Sequence, residues 1–206
     1  MPSVTGKALL RRASILLQDS AMDRWQEDEL LDWASDGQRE YVRLRPDACV
    51  RNIDFGLAVG AQQQLPADAV SLIEIVRNKN GNPVRQMARR ALDSQIRDWT
   101  SPSRAKPVVA HYCYTATNPK VFQVYPPSPG GNVVELAYHA IPPDVALTGL
   151  LAVDDSAVPA LLDYLMFRAL SKDAEFAAEN PGAAMHYQAF VAAATGKPPR
   201  PATPDA

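Results

Sequence analysis

The residue types that carry most enzyme chemistry are few in this chain, and they do not form a known catalytic pattern. The 206 residues include three histidines and two cysteines. They contain no phosphate-binding Gly-x-x-x-x-Gly-Lys-Ser/Thr loop, no Gly-x-Gly-x-x-Gly, no Gly-x-Ser-x-Gly and no His-Glu-x-x-His. His111 and His139 lie on predicted strands that could be neighbours, but no third metal ligand falls at a suitable spacing. We therefore predict a protein that is not an enzyme, with no catalytic residue, no metal and no cofactor.

The remaining polar and aromatic clusters have structural explanations beside the chemical ones. Asp154 and Asp155 could form a paired carboxylate, but they precede a predicted helix, where they would cap its first turn. The aromatic residues of the predicted strands could stack on the bases of a single-stranded nucleic acid. These residues are Tyr112, Tyr114, Phe122, Tyr125 and Tyr138. Aromatic residues also pack sheets together, and residues 108–139 contain Lys120 as their one Lys or Arg, so we favour packing.

The composition excludes several broad classes of function. The chain is 47% hydrophobic and 21% charged with a formal charge of −2, which argues against a nucleic-acid binder held by bulk charge and against a polybasic membrane anchor. No apolar run is long enough to span a bilayer. The first residues lack the features of a signal peptide, so we expect synthesis in a cytoplasm and reduced, half-buried thiols at Cys49 and Cys113.

Charge is distributed unevenly along the chain. Residues 77–106 contain eight basic and two acidic side chains, whereas residues 132–195 contain eight acidic and two basic ones. Both stretches could simply be solvated surfaces. Alternatively, the basic region of one copy contacts the acidic region of the next, since opposed fields favour head-to-tail packing. The side chains assigned to this subunit contact are Arg85, Arg89, Arg90, Asp173, Glu175 and Glu179.

Helices that could position these residues are predicted at both ends of the chain. Apolar residues recur with helical period over residues 5–17 and 26–44, and the second helix ends at Pro46. Gly37 in its middle is unfavourable for a helix and indicates close approach of a neighbouring element. A wide apolar stripe predicts a third helix after Val158, and Asn180-Pro181 begins a fourth. The run 172–175 is assigned to a solvated helix face.

The middle of the chain, residues 52–139, is predicted to be mostly β. Residues 70–77 form a strand buried on both faces, and Asn80-Gly81 turns the chain back toward Val84. An interposed helix is predicted over residues 86–97. Three further strands, at 108–114, 121–125 and 132–139, are predicted to form an antiparallel meander.

These elements predict an α+β fold, with helices from both chain ends packed as a bundle and a central antiparallel β-rich lobe. The expected organisation is N-terminal helices at 1–50, the lobe with its interposed helix at 51–145, C-terminal helices at 146–196, and an extended tail at 197–206. Four prolines among the last ten residues exclude a helix or a sheet interior for that tail.

Several stretches, in their order and spacing, resemble the head-to-tail adaptor proteins of tailed bacteriophages, the group that includes tail tubular protein A. The stretches are residues 25–33, 36–47, 64–66, 75–78, 124–127 and 163–174, and the likeness spans residues 7–191. The chain departs from the family at Gln26, where a small hydroxyl residue is usual, and at Ser35, near which the family has Asn.

The resemblance implies a non-enzymatic virion protein of the head-tail neck, synthesised in the cytoplasm of the host bacterium. Such adaptors form a ring, commonly of twelve copies, between the portal and the tail nozzle or tube, and they extend the channel through which double-stranded DNA passes without sequence-specific binding. Their C-terminal segment reaches along the portal. The residues assigned to portal docking are therefore Tyr187, Phe190, Lys197, Pro198, Pro199, Arg200 and Pro201.

The alternative function is a nucleic-acid-binding module. It would use the predicted basic helix, in which Arg85, Arg89, Arg90 and Arg97 follow Pro83. Binding through such a helix would weaken steeply with salt.

Overall fold

The computed structural model describes residues 2–173 and 181–197 of the chain, which divides into two compact units. One unit runs from Met1–Cys49 and resumes at Pro142, and the other is Val50–Ile141. The described helices are α1 (Gly6–Leu16), α2 (Glu27–Leu44), α3 (Arg89–Gln95), α4 (Val158–Asp173) and α5 (Pro181–Thr195). The described strands are β1 (Val50–Gly56), β2 (Gly60–Gln64), β3 (Ala69–Asn78), β4 (Arg85–Gln86), β5 (His111–Tyr114), β6 (Val121–Ser128) and β7 (Val133–Ala140). The predicted α+β class is confirmed.

The helical unit contains α1, α2, α4 and α5, and its first two helices lie within one residue of their predicted bounds. The Thr5 hydroxyl caps α1 by accepting a hydrogen bond from the Ala8 N–H at 3.2 Å. Acidic residues occupy the first turn of α2, where they face the positive end of the helix dipole. Helix α5 begins at Pro181 as predicted, and its predicted cap, Asn180, lies outside the described residues.

Gly37 lies where α2 packs tightly against α4. A Cβ atom built on Gly37 would lie 2.9 Å from Cδ1 of Tyr164, a distance shorter than carbon–carbon contacts allow. The glycine therefore lets the two helices pack closely, which explains a residue that is otherwise unfavourable inside a helix.

The segment that enters the helical unit after Pro142 is fixed by buried polar side chains of α2. The Ser35 hydroxyl accepts a hydrogen bond from the Val145 N–H at 2.9 Å, and the Gln38 amide oxygen accepts one from the Ala152 N–H at 2.7 Å. Both polar side chains are buried. These two side chains satisfy the N–H groups of Val145 and Ala152, which no helix or sheet ladder would pair.

The β-rich unit consists of two sheets. The first has the strand order β1-β7-β3 and is antiparallel, and the second has the order β2-β6-β5-β4, in which β4 runs parallel to β5. Phe55 of the first sheet contacts Phe122 of the second, with ring centroids 6.2 Å apart. The side chain of Asn78 also joins the two, since it donates to the Val109 carbonyl at 2.7 Å and accepts from the Val109 N–H at 2.9 Å.

Two strand predictions are wrong, one because of sheet register and one because of strand order. Strand β3 is not buried on both faces, because its register against β7 shifts at Val70, Ile73 and Val76, and Val70 and Ile73 are exposed. The meander is also incorrect. Strands β5 and β6 pair as predicted, but the turn through Gly130 and Gly131 carries the chain into the other sheet, where β7 lies between β1 and β3.

The predicted helix 86–97 is shorter than expected and begins later. Arg85 and Met87 donate their backbone N–H groups to the carbonyls of Ala110 and Tyr112, at 3.0 and 2.9 Å, so this stretch continues along β5 as an edge strand. The helix α3 therefore starts only at Arg89. Leu92 anchors it on a small core with Ala61, Trp99 and Cys113.

Candidate interaction surfaces

The arginines assigned to subunit contact do not form one helical stripe. Arg85 lies on strand β4, whereas Arg89 and Arg90 occupy the first turn of α3. All three are exposed. Arg89 lies 3.7 Å from the Asp93 carboxylate, and no ion pair within the described residues involves Arg85 or Arg90. The exposed guanidinium groups of Arg85 and Arg90 are therefore available to a partner.

A cleft of about 790 Å³ lies beside Arg89 and Arg90. Its floor crosses three strands of the second sheet, where Gln62, Gln123 and Cys113 are register neighbours. Burial raises the pKa of the Cys113 thiol, and the Asp93 carboxylate adds to that shift. A raised pKa favours the protonated thiol, which is a weaker nucleophile than the thiolate.

The acidic residues assigned to the subunit contact cannot be placed in full. Asp173 ends helix α4, and Glu175 and Glu179 lie outside the described residues. Other carboxylates are exposed near the start of α2, where Glu27, Asp28 and Asp32 form no ion pair within the described part of the chain. The sequence of the helical unit contains 11 basic and 17 acidic residues, whereas that of the β-rich unit contains 10 basic and 6 acidic ones. The two units thus carry net charges of opposite sign.

The residues assigned to portal docking fall into three environments. Phe190 is fully buried, with its ring 5.1 Å from Tyr164 and 6.3 Å from Tyr41, so its side chain is core and not surface. Tyr187 is half-buried, and its hydroxyl donates to Glu40 at 3.5 Å. Burial, followed by the Glu40 charge, raises the pKa of Tyr187. Lys197 is exposed, and Pro198, Pro199, Arg200 and Pro201 lie outside the described residues.

The histidines do not come together as a metal site. His111 lies on β5 in the second sheet, whereas His139 lies on β7 in the first, with its Nδ1 2.9 Å from the Ser71 hydroxyl. No group of three or more potential ligands that could hold a metal ion occurs among the residues that the structure describes. Within residues 2–173 and 181–197, no helix is long and apolar enough to cross a membrane.

Comparison with protein families identifies the chain. A family model described as SU10 adaptor protein matches residues 4–204. The chain belongs to the SU10 adaptor protein family. This is a family of phage head-to-tail adaptors, so the resemblance found in the sequence is confirmed. No curated protein matches the chain.

A polar and aromatic cluster that the sequence patterns did not predict joins α2 to α4 in this adaptor. Lys172 is exposed, as its assignment to a solvated helix face expects, and its ammonium also lies 2.6 Å from Glu29 and 5.6 Å from the ring centroid of Trp25. Arg168 lies over Trp33 at 5.5 Å and bonds Asp36 at 3.1 Å. Cation–π contacts of this kind stabilise partly buried positions. The signal in the sequence was the pair Trp25 and Trp33, one just before α2 and one within it, close to the acidic first turn of that helix.

The same adaptor also has a regular, uncovered sheet edge that no sequence motif indicated. Strand β1 pairs with β7 over seven consecutive residues without a shift, and five of its seven residues are exposed. An edge strand presents unpaired backbone groups, and its exposure depends on which strands pair with which. The open edge of β1 can be recognised only from the order of the strands in the sheet.

Proposed function

We propose that this phage adaptor forms a ring, commonly of twelve copies, between the portal and the tail nozzle or tube. The ring would extend the channel for double-stranded DNA, which passes without sequence-specific binding. Membership of the adaptor family over residues 4–204 is the observation that carries the proposal. The protein then acts in the head-tail neck of the virion through its interfaces, without catalysis.

The opposite net charges of the two units support a ring of head-to-tail contacts. A heterologous contact uses two different surfaces of each copy and closes into a ring when the rotation between copies fits. Exposed Arg85 and Arg90 in the β-rich unit have no ion pair within the described chain, and they would meet acidic residues of the neighbouring helical unit. Asp173, Glu175 and Glu179 remain the proposed acidic partners.

The C-terminal segment is the proposed portal-docking element. Residues 197–206 contain Pro198, Pro199, Pro201 and Pro204, so a partner surface would bind them as extended chain. The half-buried Tyr187 and exposed Lys197 lie on α5 and just beyond it, and they would flank the same contact. Buried Phe190 would contribute only by holding α5 in place.

Electron microscopy of the purified protein with its cognate portal tests the function directly. We expect a ring stacked coaxially on the portal. Particles in which the protein binds elsewhere, or does not bind, would rule the proposal out. Deletion of residues 197–206 should weaken portal binding while the chain stays folded, and deletion of 203–206 alone should weaken it less. Unchanged binding by both variants would refute the docking assignment but not the ring.

The alternative, a nucleic-acid-binding module, loses the continuous basic helix on which it relied. Arg85 is on a strand and Arg97 follows the end of α3, so only Arg89 and Arg90 share a helical turn. A steep fall of DNA affinity with salt for the isolated protein would nevertheless favour this function over the adaptor ring.

A further inference from the structure

We propose that the free edge of strand β1 receives an extended segment of another phage structural protein, which adds a fourth strand to the β1-β7-β3 sheet. The choice of partner rests on the proposed function in the neck, whereas the open edge follows from the fold alone. Strand addition of this kind uses the backbone N–H and C=O groups of an edge as its binding site.

The hydrogen-bond pattern identifies the outward-facing groups of β1. The Leu57 N–H donates to the Asn132 carbonyl at 2.9 Å, so Leu57 is paired toward β7. In an antiparallel ladder such pairs alternate, and the intervening residues direct their backbone groups to the other side. The register of β1 against β7 has no shift, so the N–H and C=O groups of Val50, Asn52, Asp54 and Gly56 face away from the sheet. No hydrogen bond to these outward groups occurs within the described chain.

The side of the β-rich unit opposite to β1 is closed. Strand β3 has three register shifts, and the Val84 N–H donates to the Val76 carbonyl at 3.3 Å along its edge. The chain then continues as β4, two residues long, which pairs with β5. Bulges, short strands and covering segments are the devices by which proteins block an edge from further pairing.

Strand β2, the remaining edge, is only partly available. Its register shifts between Gly60 and Gln62. The Gln63 side chain binds back to the preceding loop, accepting from the Ala58 N–H at 2.7 Å and donating to the Ala58 carbonyl at 2.9 Å. Of the four edge strands in Val50–Ile141, β1 alone combines seven residues with an unshifted register.

The outer surface of β1 also lacks the charge that commonly protects an edge. Asp54 is its single charged side chain on the outer face, and Lys79 neutralises it in an ion pair. Arg51 points to the other face and bonds Asp68 at 2.7 Å. An incoming strand would therefore meet no uncompensated charge, and the exposed Val50 would offer it an apolar contact at one end.

Two candidate occupants from this chain itself do not fit the edge in a ring. The tail 197–206 has four prolines, each of which lacks the N–H that a ladder needs. Pairing of β1 with β1 of a second copy requires a two-fold axis, which a cyclic ring does not supply. The adaptor family implies contacts with other phage structural proteins, and we take a segment of one of them as the occupant. Its side chains should alternate, with apolar residues beside Ile53 and Phe55 and polar residues on the outer face.

Replacement of Asn52 tests this inference. Asn52→Pro removes one outward N–H from an edge position that tolerates proline, whereas Asn52→Ala keeps the N–H and removes only the side chain. Each full-length variant would be supplied to phage that lack the adaptor gene. We expect Asn52→Pro to lower the yield of infectious particles by on the order of tenfold or more, and Asn52→Ala to restore the wild-type yield.

Gln64→Pro is the positional control. Gln64 lies on the edge strand of the other sheet and directs its N–H away from β6, so its replacement by proline should leave the yield unchanged. A normal yield from folded Asn52→Pro would overturn the inference. If phage without any adaptor still made tailed particles, the proposed function itself would fail. If phage without the adaptor made tail-less heads, and the Asn52→Pro variant fully restored the yield, the proposed function would stand and only the strand addition would be refuted.

Amide hydrogen exchange supplies a measurement that does not depend on folding of the proline variant. The Asn52 and Asp54 amides should exchange rapidly in the free chain and at least about tenfold more slowly in the assembled neck. Unchanged exchange at both amides would contradict the inference. Sedimentation of the free wild-type chain as a dimer that Asn52→Pro dissociates would instead show self-pairing, and would also overturn it.

Discussion

Ser35 and Val145, 110 residues apart in the sequence, are joined by a hydrogen bond of 2.9 Å from the Val145 N–H to the Ser35 hydroxyl. The same hydroxyl donates to the Leu31 carbonyl at 2.8 Å within α2. The side chain is buried, so this one hydroxyl fixes where the chain re-enters the helical unit. Its removal leaves a buried N–H without a partner.

Replacement of Ser35 by Ala should therefore destabilise the protein by about 1–3 kcal/mol, the usual cost of an unsatisfied buried donor. Urea unfolding measures this change. Ser94→Ala is the control, because the exposed Ser94 hydroxyl bonds only the Ala91 carbonyl of its own helix, and the expected change is within about 0.5 kcal/mol. Equal effects of the two substitutions would contradict the structural role of Ser35.

Gly37→Ala should also destabilise the protein, although alanine favours helix by about 1 kcal/mol over glycine. The new Cβ would meet the buried Tyr164 ring at 2.9 Å, and overpacking of this kind costs about 1–3 kcal/mol. We expect a net loss of about 1 kcal/mol in the free energy of unfolding, measured by urea titration. Asp32→Ala, at an exposed position of the same helix, should change stability by no more than about 0.5 kcal/mol. A more stable Gly37→Ala variant would mean that α4 can move aside.

Acid should weaken the attachment of the N-terminus. The Asp155 carboxylate accepts hydrogen bonds from the Ser3 hydroxyl and from the Ser3 N–H at 2.7 Å, and the hydroxyl is the main cause of its lowered pKa. Because the pKa is lower in the folded state, the stabilisation is present above the unfolded value of 3.8 and is lost as the pH falls through the folded pKa. Asp155→Asn should be less stable than wild type at neutral pH.

That difference should shrink as the pH falls below 3.8, in urea titrations repeated across the acid range. In a Ser3→Ala background the effect of Asp155→Asn should be smaller, since the main hydrogen bond is already absent. A difference that does not vary with pH would show that the Asp155 charge plays no part.

Charge reversal tests the proposed subunit contact. Arg90→Glu should weaken ring assembly, and Glu179→Arg in the same chain should restore it, because the two reversed charges attract again. Arg97→Glu is the control, since Arg97 is 94% exposed in the same region and lies 3.7 Å from its sequence neighbour Asp98. Negative-stain microscopy and sedimentation would count rings. Assembly that is equally impaired by both single reversals would point to general charge effects.

Local periodicity was sufficient to locate the helices at both chain ends, but not the bounds of α3 or the sheet partners. The repeat of Leu30, Trp33 and Tyr41 is a property of the sequence alone, and it predicted α2 to within one residue. The apolar run of β3 led to a wrong prediction of burial on both faces, because such a run is typical of a strand buried on both faces. The three bulges that turn Val70 and Ile73 outward depend on the register with β7, some 65 residues away along the chain.

Some residues of the interaction surfaces could be predicted from the sequence, and others only from the tertiary structure. Exposed Arg89 and Arg90 could be assigned from charge density, since long charged side chains are seldom buried. Phe190 was assigned to docking, but tertiary packing placed its ring against Tyr41 and Tyr164. The open edge of β1 had no local signal, because an edge is defined by the strand that is missing beside it.

The sequence by itself determined the α+β class, the helices at both chain ends, the proline-rich tail and the adaptor family. These follow from local periodicity, composition and the order of short stretches, which are carried by neighbouring residues. Only the tertiary structure decided how the strands divide between two sheets, which side chains become core, and which edge remains open. The reason is that backbone hydrogen bonds between strands and contacts between helices join residues far apart in the chain, and no local pattern specifies both partners.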